Sequence, residues 1–158
     1  MKDQRPASFK TSEELPLIDD YWDLFQTTGW NDEYSFTKAD LGIAIAHSWY
    51  RLSIYDSGTL VGFGRIISDG VHHALIVDII VRPQYQNKGI GSFILDGLTE
   101  KCKSNRIRDI QLFAAADKHG FYEKHGFVSR PHNAPGMQYL YAREPDPAPP
   151  HSSFTGNV

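Results

Sequence analysis

Six consecutive residues, Gln86-Asn87-Lys88-Gly89-Ile90-Gly91, have types and spacing that suit an anion. Gly89 and Gly91 carry no Cβ, so the backbone there can come close to phosphate oxygens. An amphipathic segment follows. The first turn of a helix offers N–H donors without internal partners, at the positive end of its dipole. Lys88 adds a mobile charge. The dinucleotide fingerprint Gly-x-Gly-x-x-Gly is absent, and so is the Gly-Lys-Ser/Thr of a P-loop. Taken alone, the glycine pair reads equally well as a tight strand-to-helix connection with no ligand.

A second constellation is Gly120-Phe121-Tyr122-Glu123-Lys124-His125-Gly126-Phe127. A tyrosine hydroxyl, with a pKa near ~10, carries its proton at neutral pH, and a departing thiolate, with a thiol pKa of roughly 8.5, can accept it. The alternative is that Tyr122 is a packing aromatic beside Phe121.

The elements that must position these residues follow from local pattern. Residues 7–11 suit a short first strand. Leu17, Ile18, Tyr21, Trp22, Leu24 and Phe25 recur at helical spacing, and Thr28-Gly29-Trp30-Asn31 reads as a turn. Thr37 is an N-cap for a second helix with Asp40 at its third position and Leu41, Ile45 and Trp49 on one face. Residues 50–56 and 59–68 form a hairpin about Ser57-Gly58. Gly62 and Gly64 weaken the second strand or admit something close to its backbone. Residues 74–81 are nearly unbroken apolar, as in a strand covered on both faces, with Asp78 the exception. A long helix from Gly89 carries Ile90, Phe93, Ile94, Leu98 and Cys102. A strand at 109–114, a short helix at 117–125 stopped by Gly126, and strands at 127–129 and 138–142 complete the order. Hairpins followed by a β–α–β unit predict a mixed sheet with helices on its faces. Residues 1–143 are expected to be a single domain and 144–158, rich in Pro and Ser, a loose tail.

Composition narrows the function. At 158 residues the chain suits one domain, and its net charge of −3 supplies no basic field for nucleic acid. No apolar run approaches the roughly 20 residues that span a membrane, and residues 1–10 have no apolar core of a secretory signal. A cytoplasmic protein is expected. The single cysteine, Cys102, excludes an internal disulfide and a Cys-based zinc site, and falls on an apolar helix stripe as a buried thiol would. His119, His125, His132 and His151 show no ligand spacing with carboxylates, so no metal is expected.

Together, the loop Gln86 to Gly91 with its preceding strand and the Phe121-Tyr122-x-x-x-Gly126-Phe127 block resemble the GNAT superfamily of acyl-CoA-dependent N-acetyltransferases. The pair of motifs is far more specific than either half. Thr28-Gly29-Trp30, Ser68-Asp69, Asp78 and Gly136-Met137 look like the branch with arylalkylamine-like members. The resemblance implies an α/β fold: a mostly antiparallel mixed sheet of about six to seven strands with helices on both faces. It implies acetyl-CoA as co-substrate and direct attack of a primary amine in a ternary complex. A non-catalytic acyl-CoA-binding regulatory module on the same fold is the alternative. A small-molecule amine is expected before a protein lysine, and a homodimer is common in the family.

Carried over by motif position, Ile79, Ile80 and Val81 hold the pantetheine arm and acetyl carbonyl. Gln86, Asn87, Lys88, Gly89, Ile90, Gly91 and Ser92 hold the pyrophosphate, and Tyr122 protonates the thiolate. The base is open. Asp78 is either the base or amine anchor, or a structural polar partner. Strict alternation sets it on the face opposite Val77, Ile79 and Val81, and a bulge would change that. His72 and His73, with a pKa near ~6.5, are the other candidates, and water is a third route. Trp30 and His47 border the amine pocket or, for Trp30, pack in the core. One departure stands out: many members carry an Asn ahead of the tyrosine helix, where this chain has Ala114-Ala115-Ala116-Asp117.

Overall fold

The computed structural model describes residues 9–139. Five strands form one sheet in the order β1-β2-β3-β4-β5: Phe9–Ser12, Tyr50–Asp56, Thr59–Ser68, His73–Val81 and Asp109–Leu112. The pairs β1–β2, β2–β3 and β3–β4 are antiparallel, and β5 pairs parallel to β4. The helices are α1 (Ile18–Gln26), α2 (Asn31–Tyr34), α3 (Lys38–Ala46), α4 (Ile90–Ser104) and α5 (His119–Glu123).

Local chemistry explains the best-defined boundaries. Ser57 and Gly58 have φ of +50° and +86°, the double left-handed turn that fits the twist of a two-residue hairpin. Thr37 accepts from the Asp40 N–H at 3.2 Å and Asp40 accepts from the Thr37 N–H at 2.8 Å, a reciprocal cap that starts α3. Asp69 Oδ1 accepts the amides of Val71, His72 and His73 and fixes the turn into β4.

Two apolar clusters cover the two faces of the sheet. Ile90, Ile94, Leu95, Leu98 and Cys102 of α4 pack on Leu52, Ile54, Val61, Ile66, Ala74 and Ile76. On the other face Tyr21, Leu24 and Phe25 of α1 and Leu41 and Ile45 of α3 pack on Leu60, Phe63 and Ile80. Trp49 was expected on the α3 stripe. It lies beyond the end of α3 and packs with the α4 cluster instead.

The two β3 glycines have a packing role. A Cβ at Gly64 would stand 2.5 Å from Ile94 Cγ2 and 2.9 Å from Leu98 Cδ1, and one at Gly62 2.8 Å from Ile90 Cγ2. α4 therefore lies directly on the β3 backbone, which brings its first turn to the end of β4. Gly64→Ala is expected to destabilise the fold by about 1–3 kcal/mol, because the overlap is with well-packed branched side chains. A urea melt checks this, and an unchanged midpoint would contradict it.

The expected sheet of six to seven strands has five among the described residues. Residues 127–129 are not a strand: Phe127 turns into the α4 cluster, Val128 is exposed, and Pro131, which lacks an N–H, follows shortly. Of the strand expected at 138–142, residues 138–139 are irregular and 140–142 lie outside the described residues, as do the tail and the first two residues of the strand expected at 7–11. The expected turn at 28–31 is followed by a one-turn helix, α2.

Candidate functional site

The site begins with a break in β4. Ala74 and Ile76 face α4, and so do Ile79 and Val81, whereas Ile80 belongs to the opposite cluster. The spacing from Ile76 to Ile79 is odd because the strand bulges there: Arg65 pairs with Val77 and Phe63 with Ile80, which leaves two β4 residues opposite Gly64. Asp78 takes a φ of +54° to make this possible. The bulge moves Ile79 and Val81 onto the α4 face and turns Asp78 to the face covered by α1.

Beyond the bulge, β4 and β5 part. Their register runs from His73↔Asp109 to Ile76↔Leu112 and stops, while β4 continues to Val81, paired only with β3. The outer edge of residues 77–81 thus lacks a strand partner among the described residues. The Arg82 N–H donates to Val61 O on β3 at 2.9 Å, so alternation along the strand turns the N–H of Val81 to the other edge, toward the gap. The Val81 carbonyl shares that edge and accepts from Gln86 Nε2 at 3.0 Å.

The glycine loop closes the mouth of this gap. Asn87 and Gly89 have φ of +59° and +82°. Nothing lies within 4 Å of where a Cβ on Gly89 would stand, so the loop is open to solvent on that side. The first bond into α4 runs from the Phe93 N–H to Gly89 O at 2.9 Å, so the amides ahead of it have no helical acceptor. Lys88 Nζ sits 5.2 Å from the centre of the Tyr85 ring, and Tyr85 donates to Asp56 at 2.8 Å. The arrangement can hold an extended ligand with its anionic end on the loop and its far end along β4.

α5 is pinned against α4. His125, just past α5, stands between two α4 side chains one turn apart: Nε2 is 3.1 Å from Ser92 Oγ and Nδ1 2.8 Å from Asp96 Oδ1. Tyr122 joins the same apolar cluster as Ile79 and Val81, and burial raises its pKa above the ordinary value. Phe121 packs toward Gly91 and Val81, since a Cβ on Gly91 would meet both at 3.7–3.8 Å. Nothing in the spacing of the chain joins His125 to Ser92 and Asp96, which lie about 30 residues earlier; only the packing of α5 on α4 brings them together.

On the other face, Asp78 is engaged. Arg65 Nε donates to its Oδ2 at 2.5 Å, and the Tyr21 hydroxyl donates to the same oxygen at 3.4 Å. Arg65 also donates to Ala44 O at 3.1 Å and so ties α3 to the bulge. Burial, followed by the Asp78 charge, pushes the Tyr21 phenol far up. Tyr34 of α2 is raised mainly by burial, then by the charges of Glu33 and Asp78, and Phe36 stacks on it with ring centres 5.0 Å apart. Trp30 packs edge-on to Phe25 in the core cluster, whereas His47 is exposed at the end of α3.

His72 is not brought to this place. It precedes β4, and the strand from His73 to Val81 spans roughly 25 Å at ~3.3 Å per residue. In the loop at 130–137, Gly136 lies against Phe113, just past β5. Asp117, in place of the usual Asn, has a φ of +60° in the loop before α5.

The model of the acetyltransferase (GNAT) family matches residues 15–127. An uncharacterised N-acetyltransferase of Porphyra purpurea is 33% identical over 147 residues, covering 85% of this chain and 84% of that protein. Relatives aligned over shorter stretches have different substrates in their names. A chloroplastic serotonin N-acetyltransferase of Oryza sativa is 31% identical over 105 residues, covering 64% of this chain and 52% of that one. A histone acetyltransferase of Glycine max is 35% identical over 78 residues, covering 49% and 32%. This chain thus spans about half or less of those two proteins. Among solved structures, a GNAT-family acetyltransferase of Streptococcus pneumoniae superposes with a TM-score of 0.67 at 27% identity, over 85% of this chain and 98% of that one.

Proposed function

The chain belongs to the GNAT family of acetyltransferases, and from that premise we propose that it moves an acetyl group from acetyl-CoA to a primary amine by direct attack in a ternary complex. The observation that carries this reading is the parting of β4 from β5 beside the open amides of the glycine loop. An extended thioester with a pyrophosphate fits that shape. The space where a Cβ on Gly89 would stand is empty, and the N–H groups of residues 87–92 have no helical acceptor and are free for phosphate oxygens.

Acetyl-CoA supplies the activated acyl group. The residues of the chain do the rest. Residues 87–92 bind the pyrophosphate through backbone N–H groups, whereas the Gln86 N–H is already given to Pro83 O at 3.2 Å. Ile79, Ile80 and Val81 line the pantetheine arm, and the N–H of Val81, turned into the gap, stands ready for the developing oxyanion. Tyr122, kept protonated by burial, gives its proton to the leaving sulfur. Asp78 is bonded to Arg65 and Tyr21, and His72 lies at the far end of β4. We therefore assign the amine proton to water, and to Asp78 the role of fixing the bulge.

A small arylalkyl amine is the proposed acceptor. Tyr34 and Phe36, half-buried, stand on the α1 side of the sheet near the bulge, and aromatic walls suit an aromatic amine. The likeness to a serotonin N-acetyltransferase supports the same class. That relative is named chloroplastic, so its likeness lends no weight to the expected cytoplasm. Among the described residues no helix is long and apolar enough to cross a membrane.

The test is release of CoA thiol from acetyl-CoA over a panel of phenethylamine-type amines, polyamines and a lysine peptide. Turnover is expected with the aromatic amines. Turnover on the peptide alone would move the acceptor to protein lysine. A rise in Tm with acetyl-CoA but no turnover on any amine would favour a binding module, which Ala114-Ala115-Ala116-Asp117 in place of the usual polar contact would suit.

A further inference from the structure

His72, His73 and Asp109 stand together at the end of the sheet opposite the gap. His73 opens β4 and is the register partner of Asp109, which opens β5. His73 Nδ1 lies 2.7 Å from Asp109 Oδ2. The two imidazole rings are adjacent, with centres 3.8 Å apart, and one donor atom from each of the three residues falls within 4.8 Å of the others.

The surroundings hold these groups in place. Asp69 anchors the turn by accepting the amides of His72 and His73. Gln111 Nε2 donates to Asp109 Oδ1 at 2.8 Å, which leaves Oδ2 to face the histidines. That is the kind of outer bond that orients a ligating carboxylate. Beside the cluster is an open cavity of about 410 Å³ lined by His73, Asp109, Gln111, Ile67, Leu75 and Phe113.

We propose that His72, His73 and Asp109 form a binding site for a divalent transition-metal ion of the zinc class. Two imidazole nitrogens and one carboxylate oxygen suit Zn²⁺, Co²⁺ or Ni²⁺ and not the all-oxygen preference of Mg²⁺ or Ca²⁺. Bonds of about 2.0–2.2 Å bring donors to within ~4 Å of one another, so small rotations of exposed side chains close the set. Its fourth position faces solvent and the cavity, open to water or a small anionic ligand. β5 is held to the sheet by only four register pairs, beginning at His73↔Asp109, and the ion clips that pairing at its first residue. Chain spacing hides the site, because Asp109 joins the histidines only through parallel strand pairing.

The experiment is calorimetric titration of the chelator-treated 158-residue chain with ZnCl₂, repeated with CoCl₂ and visible spectroscopy. Binding of one ion per chain in the micromolar range is expected, with the d–d bands of nitrogen-ligated Co²⁺ and a higher Tm. His72→Ala and Asp109→Asn are expected to weaken binding at least about tenfold, and His132→Ala to leave it unchanged. His72→Ala lies in a turn and carries the test if Asp109→Asn fails to fold. No stoichiometric binding, or binding unchanged in His72→Ala and Asp109→Asn, overturns the proposal. None of these readouts depends on acetyl transfer.

Discussion

Tyr122→Phe is expected to lower kcat by about a hundredfold to a thousandfold while the KM for acetyl-CoA stays nearly constant. The hydroxyl acts only when the sulfur departs, so its loss is felt in the transition state and not in binding. The ring keeps its edge contacts with Phe121 and Phe127 in the variant, at centroid distances of 5.1 and 6.3 Å, so the fold should hold. The pH profile gives a second readout. Burial raises the Tyr122 pKa above the ordinary ~10. A phenol whose folded pKa is raised keeps its proton, and its contribution to stability, below the unfolded value; both are lost as pH rises through the folded one. Wild-type activity should therefore hold across neutral pH and fall only on the strongly alkaline side. In Tyr122→Phe that alkaline limb should vanish from the residual rate. A variant with kcat within twofold of wild type would remove Tyr122 from the acid role.

The second large effect concerns stability. Arg65→Met is expected to cost about 2–3 kcal/mol, somewhat below the loss from breaking a fully buried pair, because the side chains of Arg65 and Asp78 are 13% and 22% exposed. The variant strands the Asp78 carboxylate and also loses the Arg65 bond to Ala44 O. Asp78→Asn tolerates the left-handed backbone at that position and should cost less. The double variant Arg65→Met/Asp78→Asn should recover part of the loss, because no unpaired charge remains. Denaturant melts of the four proteins give the coupling. The same variants separate the two roles of Asp78. If it fixes the bulge, Asp78→Asn keeps kcat within about tenfold; if it is the base, kcat falls by the ~10²–10⁴ of a general base while stability changes little.

These expectations rest on features of different legibility. The hairpin of β2 and β3, the reciprocal cap of α3 and the stripe of α4 were visible in the chain, because each depends on residues a few positions apart. The glycine loop and Tyr122 were visible for the same reason. The shortfall in strands has a local cause at residues 127–129, where Phe127 is drawn into the core and Val128 into solvent. α2 was missed because a single turn is too short to show helical spacing.

By itself, the sequence determined the chemistry on offer: two glycines and a lysine at a helix start, a tyrosine on a short helix, and an apolar strand with one carboxylate. These are properties of residue type and short-range spacing. The tertiary structure decided which groups meet. Strand pairing placed the bulge opposite Gly64, turned Asp78 to Arg65 and Tyr21, and parted β4 from β5 after Ile76↔Leu112. Helix packing set His125 between Ser92 and Asp96. Strand register brought Asp109 to His73. The physical reason is that local backbone preference fixes an element, whereas a contact between elements depends on register, and one extra residue in a strand changes which face a side chain occupies. The loop from Gln86 to Gly91 could thus be read as an anion site from the chain alone, but the gap it guards exists only because two strands that begin together do not stay together.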